Sequence, residues 1–349
     1  MNSSPPRLQR SALVPGLAAA AAAVLAAYLL HGLIPWLPVL TIAVVLGLAV
    51  ANVPGLASSV SGPLKPGLSL AAKRLMRIGI VLLGLKVSLI DIAALGWGAL
   101  LLINALVAGA FAGTYLICRA FRLPGEEPLL IAAGFSICGV SAIGAVAAAR
   151  RVRHEDTVVP IALVTLCGTL AIGVLPLLAS LFGLRDETFG LWVGASVHDV
   201  GQVVATAQTA GTAALAAAVV VKLARVVLLA PMTAAVGLLG RRQDAAREAA
   251  GTSPVAERGA GKRPPLVPLF VLGFLALILV RTAGILPEAA LEAAGVVQEI
   301  LFAAALFALG AGVRFAALFV SGARALAAAL VSWLLVGGLG LGLALLLAG

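Results

Sequence analysis

Apolar runs close to the length of a membrane crossing recur from one end of the sequence to the other, separated by short segments that hold nearly all of its charge. About 20 residues cross a hydrocarbon core of roughly 30 Å. Lipid offers backbone N–H and C=O groups no partners, so each such run must be a helix. Short alternating segments, the mark of a membrane β-barrel, do not occur. Composition closes off a soluble domain: 62% of the 349 residues are hydrophobic and 11% charged, against about 25% charged in soluble proteins. Mean hydropathy is +1.14. The fold class is all-α, a polytopic helical membrane protein of about 9–11 spans.

Spans read at 12–31, 36–53, 75–92, 97–118, 157–182, 213–240, 266–283, 296–313 and 324–347. The whole chain forms one transmembrane domain. Residues 1–11 form a cytoplasmic tail, and the Gly/Ser/Pro-rich stretch 241–265 a flexible cytoplasmic linker. The first run, Leu13 to Leu30, resembles a signal peptide behind Arg7 and Arg10, but the many later spans favour a retained helix. The net charge of +10 lies between the apolar runs, as the positive-inside rule arranges it, so nucleic acid is not the expected partner. Cys118, Cys138 and Cys167 have neither the number nor the spacing of a disulfide framework or a zinc site. No cofactor or metal is expected.

Two further apolar stretches, 128–149 and 187–208, carry Gly, Ser and other small residues at their middle. Charge decides how they sit. If 128–149 dips in and returns, the Arg150-Arg151-Val152-Arg153 cluster stays on the cytoplasmic side with Lys65, Lys73, Arg74, Arg77, Arg119 and Arg122. The stretch 187–208 then enters from the outer face behind Arg185-Asp186-Glu187. Two re-entrant segments from opposite faces are the working topology, and two unwound full spans the rival. The two stretches also align: Gly134-Phe-Ser-Ile-Cys-Gly-Val-Ser with Gly194-Ala-Ser-Val-His-Asp-Val-Gly, both of the form Gly-x-Ser-[Ile/Val]-x-x-Val. A second match pairs Leu83-Gly84 and Val87 through Gly96 with Leu309-Gly310 and Val313 through Gly322. Opposite orientations suit inverted repeats.

A helix broken in the membrane frees N–H and C=O groups that must line a cavity or meet protein, and half-helix N-termini favour anions. Gly134, Ser136, Cys138, Gly139 and Ser141 in the first stretch, with Gly194, Ser196 and Gln202 in the second, are candidate substrate contacts. Small residues also serve simple close packing. Ionisable groups inside apolar runs are costly and usually functional. His198 and Asp199 are candidates for substrate binding and for proton coupling, with Lys86 as a further coupling candidate. Lys86 and Asp91 are equally placed to snorkel to the interface. Lys222 and Arg225, three apart on one helix face, offer an anion two positive charges or pair structurally with Asp199. Neutralising either is expected to abolish anion flux with expression intact. Arg314 reads as a topological anchor.

No HExxH, GxSxG or Walker A motif is present, and the histidines are His31, His154 and His198. A serine such as Ser136 could pair with His198 as nucleophile and base, but nothing in the spacing favours an enzyme.

The segments from Gly134 to Ile143, from Gly190 to Ala205 and from Lys222 to Pro231, with Leu83 to Asp91, resemble the signatures of a bacterial family named for sulfate export and long catalogued as conserved hypothetical membrane proteins. The likeness runs from about residue 35 to 347, and the family pattern more often has glutamate where Asp199 stands. It implies kinship with cation–proton antiporters and bile-acid symporters, inverted repeats, interrupted rather than re-entrant spans, and elevator-like alternating access. Together these point to a secondary transporter in the bacterial inner membrane, N-terminus cytoplasmic, exporting a small anion such as sulfate or a sulfonate, with proton coupling and a homodimer both open. A channel-like pore and an intramembrane enzyme are the alternatives.

Overall fold

A computed structural model of the chain describes residues 10–35, 37–86, 96–153, 155–249, 269–314 and 323–348. The regular secondary structure among them is helical, as lipid requires. In chain order the helices are α1 (Arg10–Leu33), α2 (Val39–Asn52), α3 (Ala57–Ser61), α4 (Lys65–Leu70), α5 (Met76–Leu83), α6 (Gly96–Ala120), α7 (Glu127–Ser136), α8 (Val140–Arg150), α9 (Val158–Phe182), α10 (Asp186–Ser196), α11 (Val200–Ala207), α12 (Gly211–Val227), α13 (Leu229–Ala249), α14 (Leu269–Thr282), α15 (Glu288–Ala311) and α16 (Ala323–Ala348). A π-helical turn at Ala71–Leu75 joins α4 to α5, and a 3-10 turn at Gly84–Lys86 extends α5. Among the described residues six helical stretches are long and apolar enough to cross a membrane, and shorter apolar helices such as α2 and α14 lie among them.

The helices sort into two bundles. In one, α15 packs on α2, α1 and α5, while α14 packs on α5 and α1 on α4. In the other, α10 packs on α12 and α16, α6 on α7 and α16, and α9 on α7 and α11. An apolar crevice of about 450 Å³ runs between them, with Ile80, Phe270 and Phe274 on one wall and Trp97, Leu100 and Leu223 on the other. The arm α11 is where the bundles meet, touching α2, α5 and α15.

Both central stretches turn back. At 1.5 Å per residue α7 and α8 are each about 15 Å long, so laid end to end their far ends would stand roughly 30 Å apart. Instead Arg150, closing α8, donates to Glu126, just before α7, at 2.7 Å. The pair is a hairpin that enters and leaves by one face. In the second stretch, Cβ atoms built on Gly190 and Gly194 would fall 2.2 and 2.3 Å from the carbonyl oxygens of Ala214 and Ala218. Matching order along both helices means that α10 and α12 run parallel, so α11 between them must carry the chain back to the face it came from. The re-entrant topology holds, against the interrupted spans implied by the family likeness. Charge fits the same scheme: the face holding Glu126 and Arg150 also collects Arg10, Lys65, Arg119 and Arg122, and the second hairpin starts behind Arg185.

Other boundaries shift. The linker read at 241–265 begins later, because α13 runs through Ala249 on a helix-favouring Ala, Arg and Glu composition; residues 250–265 lie outside the described residues. So do 1–9, Asp91, His154, and 87–95 and 315–322 of the second repeat match.

Candidate functional site

The first repeat match survives in three dimensions. The first hairpin breaks between Ser136 and Val140, the second between Ser196 and Val200, at aligned positions. Hairpins entering from opposite faces bring these breaks together deep in the chain. Each break leaves helix-end carbonyls that need donors inside an apolar protein.

α12 supplies those donors. The Arg225 guanidinium donates to Phe135 O (3.2 Å) and Ser136 O (2.8 Å) of the first tip, and to Gly194 O (3.0 Å) and Ala195 O of the second. The Lys222 ammonium donates to Val197 O at 3.0 Å, and to Ile137 O and His198 O. Both side chains are 0% exposed. An arginine has five N–H donors and a lysine three, and here they are spent on backbone carbonyls of both tips. The two cations therefore tie the hairpins to each other and to α12.

Other predicted contacts are also engaged structurally. The Ser136 and Ser196 hydroxyls donate back to Ala133 O and Trp192 O. Gln202 donates to Thr165 O and Thr169 Oγ1 while its Oε1 accepts from the Asp199 amide. Asp199 caps α11, its Oδ1 accepting from Gly201 N at 2.8 Å. Gly134 lies against Val164 and Ile143, and Gly194 against the α12 backbone, where no side chain fits without a shift. Gly139 has φ +63 and ψ −124, a conformation open to glycine.

His198 is different. It is 0% exposed, its ring packs on Phe135 with centroids 4.3 Å apart, and the polar group it approaches is the Phe135 backbone carbonyl, short of full hydrogen-bond geometry. Cys138 is buried beside it on the other tip, whereas Ser141 and Asp199 are only half-buried. Lys86 is not brought to the tips: it lies against Gly295 of α15, its Nζ 3.9 Å from that residue's Cβ position.

Sequence reading missed Phe135, whose carbonyl and ring both serve the tip, because an apolar residue in an apolar run gives no signal. It also missed Glu299, a half-buried carboxylate on α15 that is hydrogen-bonded to Tyr28. Glu299 lines a cavity of about 310 Å³ with His31, Gln208 and Thr209. A glutamate among apolar residues in the later half of the chain was the available clue.

A family model described as conserved hypothetical protein 698 matches residues 15–329. A UPF0324 membrane protein of Corynebacterium glutamicum is 42% identical over 300 residues, covering 86% of this chain and 83% of its own length. One of Pseudomonas aeruginosa is 34% identical over 95% of this chain and 94% of its own, and one of Bacillus cereus 31% identical over 76% and 72%. No solved structure matches.

Proposed function

The chain belongs to the family of conserved hypothetical protein 698, the UPF0324 membrane proteins, and from that premise we propose that this multi-pass membrane protein is a secondary transporter of a small anion. One observation carries the reading: two hairpin tips from opposite faces meet around a buried cluster with an excess positive charge. By formal charge, the buried Lys222 and Arg225 contribute two positive charges and the half-buried Asp199 one negative. The two incoming half-helices present C-terminal ends and the two outgoing ones N-terminal ends, and these partial charges cancel. One positive charge is left over in a medium where an unbalanced charge is expensive. A bound anion balances it.

The carrier motion follows from the same bonds. Arg225 and Lys222 hold both tips on α12, so the tips move with that bundle as one body rather than opening as separate gates. The other bundle meets it along an apolar crevice and around α11, a boundary with few directional bonds to break. Sulfate or a sulfonate, moved outward, is the substrate reading, and the face rich in Arg and Lys is assigned to the cytoplasm with the N-terminus. An enzyme is disfavoured by Ser136, whose hydroxyl is turned to its own helix instead of His198.

Flux into proteoliposomes tests this. Uptake of labelled sulfate or methanesulfonate that saturates and responds to an imposed pH gradient is expected. Unsaturable flux would indicate a pore, and movement of neutral metabolites alone would remove the anion reading.

A further inference from the structure

We propose that Glu299 is the proton-binding group of this transporter: it takes a proton from the outer side through the cavity it lines, and the hairpin bundle crosses the seam only past a neutral carboxyl. The proposal rests on the transporter reading above and adds a proton site to it. It stands on a cluster outside the hairpin tips. On α15 the Glu299 side chain is half-buried, and the Tyr28 hydroxyl of α1 reaches its carboxylate. Lys86, on the 3-10 turn after α5, acts on it through space. Among the described residues no cation closes on Glu299 within ion-pair distance. An ionised carboxylate has about four acceptor sites, so a single hydroxyl leaves most of it to the cavity.

The cavity is a place where the two bundles face each other. His31, Pro38 and Glu299 belong to the bundle of α1, α2 and α15, whereas Gln208 and Thr209 follow α11 out of the second hairpin. α1 starts at the cytoplasmic face with Arg10 and brings Tyr28 and His31, near its far end, to this place. The cavity therefore belongs to the outer half of the membrane, and about 16 Å of helix separates Glu299 from the start of α15 at Glu288. The donor set selects a proton over a metal ion. A hard cation takes six or more oxygens, Lys86 would repel it, and among the described residues no group of three His, Cys, Asp or Glu gathers anywhere.

Movement is what makes the protonation state matter. An ionised carboxylate is tolerated while the cavity is open, but it is expensive once a wall of the moving bundle covers it, and a neutral one is not. Gln208 and Thr209 form that wall. Other groups on the elements packed against α15 do not take this role. On α1, His31 lines the same cavity but its Nδ1 donates to Leu37 O at 2.9 Å. α2 and α11 bring no titratable side chain, and α9 only Cys167. Gly79 meets Phe302 while Lys86 meets Gly295, so Lys65, Lys73, Arg74 and Arg77 lie toward the opposite end of α15.

Exchange of labelled for unlabelled sulfate or methanesulfonate across proteoliposomes, at equal pH on both sides, reads this step without a driving gradient. Wild-type exchange should be fast at acid pH and fall as pH rises. Glu299→Gln, permanently neutral, should exchange at one rate throughout. At the alkaline end it should outpace the wild type about tenfold, the loss that one pH unit above the titration imposes on the protonated fraction. A gain of rate cannot come from misfolding. Tyr28→Phe removes a donor that favours the charged form and should move the wild-type fall to higher pH, whereas His31→Gln should leave it in place. Infrared pH-difference spectra of the purified full-length protein read the proton without transport: the wild type should show a protonated-carboxyl band that Glu299→Gln lacks. A Glu299→Gln protein keeping the wild-type pH profile, or spectra identical in the two proteins, overturns the proton site. A wild type that shows the band but exchanges neither anion overturns the transporter reading instead.

Discussion

The two re-entrant hairpins share a backbone plan and are held shut by different forces. The first closes its open end with a charge pair, Arg150 on Glu126, whose side chains are 12% and 33% exposed. The second lays Gly190 and Gly194 directly on the backbone of α12, with no ion pair among its described residues. At the deep end the difference reverses: the second tip has its own carboxylate cap and the first a glycine turn. A hairpin needs one firm closure at each end, and charge, contact and capping are interchangeable means to it. What is not interchangeable is the pair of cations on α12, which serves both tips at once.

Arg225→Gln should therefore break the comparison most severely. It strands carbonyls of both tips, at a cost on the order of 4 kcal/mol, and should lower expression and thermal stability as well as flux. That revises the sequence-based expectation of lost flux with intact expression, and wild-type stability of the purified variant would contradict it. Next come the glycines. Gly194→Ala meets α12 backbone at 2.3 Å and should cost about 1–3 kcal/mol, whereas Gly134→Ala meets side-chain ends at 2.8 to 3.0 Å and should cost less. Equal losses of unfolding temperature in the two variants would mean that the hairpins are packed alike. At the turns, Gly139→Ala should cost about 1–3 kcal/mol in backbone strain, against about 1 kcal/mol for the cap lost in Asp199→Ala. The order of the two melting temperatures decides it. Glu126→Gln removes a partly exposed pair and should cost under about 1 kcal/mol, with most of that difference gone in high salt. The smallest effect belongs to Ser136→Ala and Ser196→Ala, each losing one hydroxyl bond to its own helix, about 1 kcal/mol at most. Either variant losing flux with normal stability would return that serine to the substrate site.

Most of the residues named from sequence are brought together, and many of them also serve the fold. Gly134 to Ser141, Gly194 to Gln202, Lys222 and Arg225 converge from distant parts of the chain. Yet Ser136, Ser196, Gln202 and both cations turn out to face protein groups, because a broken helix creates acceptors that sequence does not display. Lys86 and Glu299 show the converse: a charge in an apolar run is visible from sequence, but its neighbours are not.

By itself the sequence determined that the chain is a stack of membrane helices and where two of them break. Helix length, hydropathy and glycine–serine punctuation are local properties, written in consecutive residues. Tertiary structure decided between the re-entrant segments and the unwound spans that the sequence left as rivals, and which groups satisfy the freed carbonyls. Those outcomes depend on contacts such as Ser136 with Arg225 and Gly194 with Ala218, between residues far apart in the sequence, whose energies exist only once the helices are packed.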